Sequence, residues 1–325
     1  MLNDIVPLAG FYEEYQNYYR LYMSQYEGVW PVAPTPFTES GLIDLDDMKR
    51  VMDCIVDQKV DGVCILANYS EQFLLSDEER KILTELCLRH IDGRIPTIVT
   101  ISHFSTDITV RRAKEAQSLG AEMVMMMPPY HGSSLRGSPD QIFQQFAEVS
   151  KVGIPIMVQD APISGIDLPV DLLLKMAAEL DQVSCFKIES PQAASKLRQL
   201  IERGGKFIKG PFDGEEAITL IADLDAGASG NMPSSMIPDL IKPIVSSYLS
   251  GDRDEAANRY NKILPLINYE NKQCGFRAAK AIMKEGRVIK TDVCRHPVPP
   301  LSAEIRKGLL SLAEQHSPVA LHWGV

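Results

Sequence analysis

From Gly28 onward, short apolar runs alternate with longer stretches in which apolar residues recur at three- and four-residue steps. The first pattern fits a buried parallel strand, and the second an amphipathic helix packed over it. The apolar runs are Val29 to Thr35, Gly62 to Ala67, Thr97 to Ile101, Glu122 to Met127, Ile154 to Gln159, Val183 to Glu189, Phe207 to Gly210 and Ala228 to Met232. Between them the periodicity predicts helices over Asp46 to Gln58, Ser76 to His90, Thr106 to Leu119, Pro139 to Lys151, Pro169 to Leu180, Gln192 to Arg203 and Glu215 to Leu224. Ser76 with Glu79 has the reciprocal capping-box spacing, and Ser138 before Pro139 pairs a capping hydroxyl with a proline at the first helical position. Eight strands alternating with helices, roughly 25 to 30 residues apart, predict an α/β chain folded as a (β/α)8 TIM barrel. A doubly wound sheet would want a glycine-rich turn after the first strand. Val32-Ala33-Pro34-Thr35-Pro36-Phe37 supplies prolines there instead.

Beyond about residue 235 the strand pattern stops. Ile237 to Leu249, Arg253 to Ile267, Phe276 to Glu285 and Ala303 to His316 read as helices, the later ones forming a layer added after the barrel closes. At the other end Phe11, Tyr15, Tyr18 and Tyr22 mark an amphipathic helix with an aromatic stripe, suited to packing on the main domain or a neighbouring subunit. The organisation is thus an N-terminal helical extension (1–27), a barrel (28–235), and the last barrel helix with a C-terminal helical layer (236–325).

Composition narrows the chemistry. Acidic residues (43) outnumber basic ones (33) and no basic cluster is interleaved with aromatics, which argues against a nucleic-acid partner. No apolar stretch is long enough to cross a bilayer and no signal peptide is visible, so a cytoplasmic protein without a membrane partner is expected. The six cysteines lack CxxC spacing and read as reduced core residues; the six histidines lack metal-ligand spacing, so no metal site is expected.

The candidate chemistry centres on Val183-Ser184-Cys185-Phe186-Lys187-Ile188-Glu189. Side chains alternate along a strand, so Lys187 and Glu189 share one face, opposite Phe186 and Ile188. Two charges on a covered strand are costly unless they stand at an open mouth. An amine held there is expected to have a lowered pKa and to attack a ketone; a plain ion pair is the alternative. Active sites of such barrels lie at the C-terminal ends of the strands. That places Thr35, Asn68-Tyr69-Ser70-Glu71, Ser102-His103, Pro129-Tyr130-His131, Gln159-Asp160, Asp213-Gly214 and Asn231 in a polar ring around Lys187.

The set Pro-Thr-Pro-Phe, the polar turn ending in Glu71, Met-Pro-Pro-Tyr, the Asp-Ala-Pro turn and Phe-Lys-Ile-Glu resembles the dihydrodipicolinate synthase and N-acetylneuraminate lyase superfamily, from about Gly28 to near the C-terminus. The resemblance implies a class I barrel that forms a Schiff base with a 2-keto acid, commonly as a homotetramer. Lys187 matches the imine-forming lysine, so no separate cofactor is implied. Tyr69 and Ser70 stand where the family holds the substrate carboxylate, and Tyr130 matches its strand-four tyrosine, a proton relay within the site or in a neighbouring subunit's. The family's strand-five tyrosine is replaced by Gln159, which is neither acid nor base near neutral pH. With Leu-Ala-Asn-Tyr-Ser-Glu-Gln-Phe, Val-Gln-Asp-Ala-Pro and Gly-Pro-Phe-Asp-Gly-Glu-Glu-Ala, this departure resembles the L-2-keto-3-deoxyarabonate dehydratase branch.

That branch implies loss of water from a 2-keto-3-deoxy sugar acid to give 2-ketoglutarate semialdehyde (2,5-dioxopentanoate); a pyruvate-dependent aldolase is the alternative. Catalytic roles are then expected for Lys187, Glu189 and Tyr130, with Glu189 handling protons. Substrate contacts are expected from Tyr69, Ser70, Gln159, Ser164, Gly214 and Asn231. Asp213 and Glu215 either touch the sugar tail or favour the next helix's N-terminus, while His103 and His131 carry no firm role.

Overall fold

Eight parallel strands form, seven of them on the apolar runs, and each leads into a helix that covers its outer face. The computed structural model describes residues 26–132 and 134–325, so the aromatic stripe at Phe11, Tyr15, Tyr18 and Tyr22 lies outside the described residues. The strands are β1 (Gly28–Val29), β2 (Val63–Ile65), β3 (Thr97–Thr100), β4 (Met123–Met126), β5 (Ile156–Asp160), β6 (Val183–Ile188), β7 (Pro211–Asp213) and β8 (Gly230–Asn231). β2 to β8 are hydrogen-bonded in sequence order, and β8 is paired in turn to β1. Closure comes from Val32, which bridges Cys64 on one side and Ser234 on the other.

The barrel helices are α1 (Leu45–Asp57), α2 (Asp77–Ile91), α3 (Thr106–Ser118), α4 (Pro139–Ser150), α5 (Val170–Glu179), α6 (Ala193–Gly204), α7 (Leu220–Asp225) and α8 (Pro238–Leu249). Both expected caps form: Ser76 and Glu79 exchange hydrogen bonds of 3.2 and 2.9 Å, and Ser138 does the same with Gln141. After the barrel come α9 (Arg253–Tyr269), α10 (Arg277–Glu285), α11 (Ala303–Glu314) and the short α12 (Val319–His322).

Strand alternation sorts the side chains into two cores. Phe186 and Ile188 join the cluster between strands and helices, whereas Cys185, Met157, Met125, Met123, Phe212 and Met232 fill the barrel interior. Lys187 and Glu189 continue the inward row of Cys185, as their spacing requires. Flexible methionines fill an interior into which eight strands project unevenly.

Two expectations need correction. The seventh strand is Pro211–Asp213, not Phe207 to Gly210; Phe207 closes a 3-10 turn and is exposed. Proline is tolerated as the first residue of a strand, and Pro211 opens this one. The helix expected from Glu215 begins only at Leu220, because Glu216 and Ala217 have φ of 45° and 65°, in the left-handed region. A further departure is the five-residue π-helical turn Glu270–Cys274 that ends α9, a geometry often found at functional sites.

Candidate active site

Three side chains meet at the C-terminal ends of β5 and β6. The register sets Gln159 opposite Lys187, and Lys187 opposite Phe212. The Glu189 backbone N–H donates to the Asp160 carbonyl at 2.9 Å, which carries the ladder one residue beyond the strand. Glu189 Oε1 then forms an ion pair with Lys187 Nζ at 2.6 Å and accepts a hydrogen bond from Gln159 Nε2 at 2.8 Å. Lys187 is 3 % exposed.

The amine is not depressed as the sequence reading expects. Burial pulls its pKa down, but the Glu189 and Glu216 charges and the Glu189 hydrogen bond outweigh it, so the pKa is raised. Lys187 therefore rests as an ammonium, and Glu189 is the base within reach of its proton.

Gly214 passes directly over this pair. A Cβ there would fall 2.7 Å from Cγ of both Lys187 and Glu189, a contact no real Cβ makes without displacing something. Gly214→Ala is expected to lower kcat by about 10- to 100-fold through misplacement of the two groups, with the melting temperature little changed. Steady-state kinetics and thermal melts on one preparation check this; wild-type kcat in the variant would show that the side chains yield.

Above these residues opens a cavity of about 420 Å³, lined by Tyr69, Pro162, Glu189, Glu216, Asn271 and Phe276, among others. Its far wall comes from the C-terminal layer: Phe276 stacks edge-on with Tyr69, ring centroids 6.2 Å apart, and Asn271 brings a buried Nδ2 with no hydrogen-bond partner among the described residues. Tyr69 stands beside Glu216, and its pKa is driven far up by burial and the nearby carboxylates. Glu216 is buried and pushed well above the usual carboxylate range, chiefly by loss of water; Lys187 opposes the shift, and Glu189 and Glu270 add to it. Once Glu216 is protonated its help to Lys187 vanishes, leaving Glu189 as the ion that keeps the amine charged. Behind them burial pushes Glu270 up to about 8, and its Oε1 accepts from Ser234.

The other expected site residues divide. Ser70 is committed to its turn: its Oγ donates to the Ala33 carbonyl at 2.6 Å and accepts from the Ala67 N–H at 3.1 Å. Thr35 adds a bond to the Ser70 carbonyl at 2.7 Å. Ser164 is held in the same way, donating to Ala161 and accepting from the Ile166 N–H, so its neighbours Pro162 and Ile163 line the cavity in its place. Asn231 was expected at the substrate hydroxyls. The next residue, Met232, points inward, so Asn231 faces the helices with Asp213 and donates to Asp213 Oδ2 at 2.9 Å. Burial and Asp223 push Asp213 up to about 8. Tyr130 sits in a short hairpin and lines a second cavity of about 480 Å³ with Gln72, Ser102, His103 and His131; its buried hydroxyl has no partner among the described residues. Lys187, Glu189, Gln159, Gly214 and Tyr69 thus come together, while Ser70, Ser164, Asn231 and Tyr130 stand apart from the cavity.

The sequence reading missed Glu216, Asn271 and Phe276. Glu216 had one available signal, a second acid directly after Asp213-Gly214-Glu215, but helical periodicity obscured it. The other two are contributed by elements remote in the chain, which periodicity does not place.

Residues 25–316 match the dihydrodipicolinate synthetase family. An L-2-keto-3-deoxyarabonate dehydratase from Azospirillum brasilense is 51% identical over 300 residues, covering 92% of this chain and 97% of that protein. A 4-hydroxy-tetrahydrodipicolinate synthase from Bartonella bacilliformis is 27% identical, covering 90% and 98%. A crystal structure of a Pseudomonas aeruginosa protein described as a dihydrodipicolinate synthetase superposes with a TM-score of 0.83 at 30% identity, covering 89% of this chain and 99% of that one.

Proposed function

The chain belongs to the dihydrodipicolinate synthetase family, and from that premise we propose that it is a Schiff-base hydro-lyase. It removes water from 2-keto-3-deoxy-L-arabonate and releases 2-ketoglutarate semialdehyde. The 51% identity to the Azospirillum brasilense dehydratase supports the substrate. The observation that carries the chemistry is the pairing of Lys187 with Glu189 beside an amide, Gln159, rather than a phenol.

As the keto acid docks, the Lys187 ammonium passes a proton across 2.6 Å to Glu189, and the freed amine adds to C2. After addition the nitrogen gives a second proton to the C2 oxygen and Glu189 returns the first, so that oxygen leaves as water, an iminium forms and the carboxylate is restored. The iminium draws electrons from C3, and Glu189 takes a C3 proton to give the enamine. The enamine expels the C4 hydroxyl, and tautomerisation through C5 followed by hydrolysis frees the aldehyde and the lysine. The iminium is the electron sink, so the scheme calls for no cofactor. Gln159 aims and discharges nothing: its amide orients Glu189 without competing for protons.

Carbon-carbon cleavage would instead need a base at the C4 hydroxyl. Tyr69 brings a phenol to the cavity, but burial and the nearby carboxylates raise its pKa and keep it protonated. Incubation with 2-keto-3-deoxy-L-arabonate is expected to yield semialdehyde without pyruvate, read by coupled dehydrogenase assays for each product. Pyruvate as the main product would replace this reading with an aldolase. A homotetramer in the cytoplasm is proposed on family resemblance. No described helix is long and apolar enough to cross a membrane.

A further inference from the structure

We propose that Glu216 is the general acid of the dehydration, giving its carboxyl proton to the C4 hydroxyl as the C4–O bond breaks. The inference rests on the hydro-lyase reading above and assigns the one proton that reading leaves without a donor. Hydroxide is a poor leaving group, so expulsion from the enamine is slow unless the oxygen is protonated as it departs. Glu189 is badly placed to be that donor at the same moment, because it is occupied with the C3 proton and its Oε1 is already held by Lys187 and Gln159.

Three features of the structure single out Glu216. It lines the cavity together with Glu189 while being 7 % exposed, and the neighbouring ammonium, Lys187, is paired with Glu189 instead. Its backbone sits at φ 45°, followed by Ala217 at φ 65°, so two successive residues with side chains occupy the left-handed region where glycine would be the easy choice. Strain of this kind gathers where a side chain must be aimed. Third, Tyr69 lines the same cavity, with its hydroxyl close enough to couple to the Glu216 carboxyl. A phenol beside a carboxyl can donate to one oxygen while the other carries the acidic proton, and it then stabilises the carboxylate left behind. Burial raises the pKa of Glu216, which keeps the donor form populated near neutral pH.

The protons balance. Glu189 receives one from C3 and Glu216 gives one to O4, so water leaves and the electron pair of the C3–H bond becomes the C3–C4 double bond conjugated with the iminium. Glu216, now a carboxylate, takes a C5 proton as the chain tautomerises, and Glu189 returns its proton to C3, which leaves a C4–C5 enol; the enol's hydroxyl proton then moves to C4 to give the aldehyde. Both groups finish as they began.

The test separates this step from imine formation. Pyruvate has no C4 hydroxyl, so exchange of its methyl protons in D2O reports Lys187 and Glu189 alone. Glu216→Gln is expected to exchange pyruvate within about threefold of wild type and to keep the borohydride-trapped adduct, while kcat for dehydration falls about 10²- to 10³-fold. Wild-type kcat should decline as pH rises and Glu216 ionises, and that limb should be absent from the variant. Tyr69→Phe should lose about tenfold in kcat, with exchange retained. A 4-fluoro analogue of the substrate, whose leaving group needs no such protonation, should bring wild type and Glu216→Gln close together. Dehydration by Glu216→Gln near the wild-type rate would overturn the proposal and leave Glu189 moving the proton from C3 to O4 unaided. Equal losses in exchange and dehydration would overturn it as well, by making Glu216 a structural support. If the wild-type protein neither traps nor exchanges pyruvate, the underlying Schiff-base reading has failed instead.

Discussion

Lys187→Ala is expected to lower kcat by about 10⁴-fold or more, because it removes the only group proposed to bond the substrate and every later step runs through that bond. The same variant should give no mass adduct at this position after borohydride treatment with pyruvate. Its fold should persist. The lysine leaves Glu189 near the mouth of a cavity with Gln159 still donating to it, so the carboxyl can take up a proton rather than stay as a stranded charge. Intact mass spectrometry, circular dichroism and turnover measured on one preparation decide the matter. Residual activity above about 1% of wild type would mean that the reaction has a non-covalent route, and the imine would lose its place in the mechanism.

The geometry refines what such an amine needs. Burial alone would make Lys187 a free nucleophile, yet Glu189 at 2.6 Å keeps it charged. The barrel mouth therefore stores the proton inside an ion pair, and substrate binding triggers its transfer. An amine held this way is protected until the ketone arrives, and the same carboxylate serves as base for C3. This economy explains the crowding at Gly214, where anything larger than hydrogen would push both partners aside.

Much of this was legible in the chain. Period-two alternation alone put Lys187 and Glu189 on the inner face and Phe186 and Ile188 on the outer one, and the structure sorts them that way. Capping at Ser76 and Ser138 was legible because both partners lie within four residues. What failed was non-local or strained. Ser70 and Ser164 look like substrate ligands in a sequence, but their hydroxyls are consumed by carbonyls and amides that only the folded turn brings near. The segment from Glu215 to Thr219 has helical composition and is not a helix, since Glu216 and Ala217 take a backbone that propensity disfavours. A local rule broken without local benefit is a pointer to function, and it falls on the residue best placed to be the acid.

The largest effect expected away from the chemistry is at Lys280. The Lys280 ammonium, 1 % exposed, is paired with the equally buried Glu71 and donates to the Val293 carbonyl at 2.9 Å. The Arg295 N–H donates to the other Glu71 oxygen at 3.0 Å, and the Phe37 ring packs under both Lys280 Nζ and the Arg295 guanidinium, its centroid 4.4 and 4.5 Å from them. These bonds fasten α10 and the following segment to the loops after β1 and β2, and so hold the cavity wall of Phe276 and Val298 in place. Lys280→Met leaves Glu71 charged, buried and partnered only by a backbone amide, at a cost of about 3–5 kcal/mol. The melting temperature should fall by about 10 °C, and KM should rise as the wall loosens. Adding Glu71→Gln removes the stranded charge and should recover more than half of the lost stability, since the two residues act as one unit. Thermal melts of both single variants and the double variant measure the coupling. A Lys280→Met protein that melts with wild type, or a double variant no better than the single, would show that the barrel holds its helical layer by apolar packing and not through this pair.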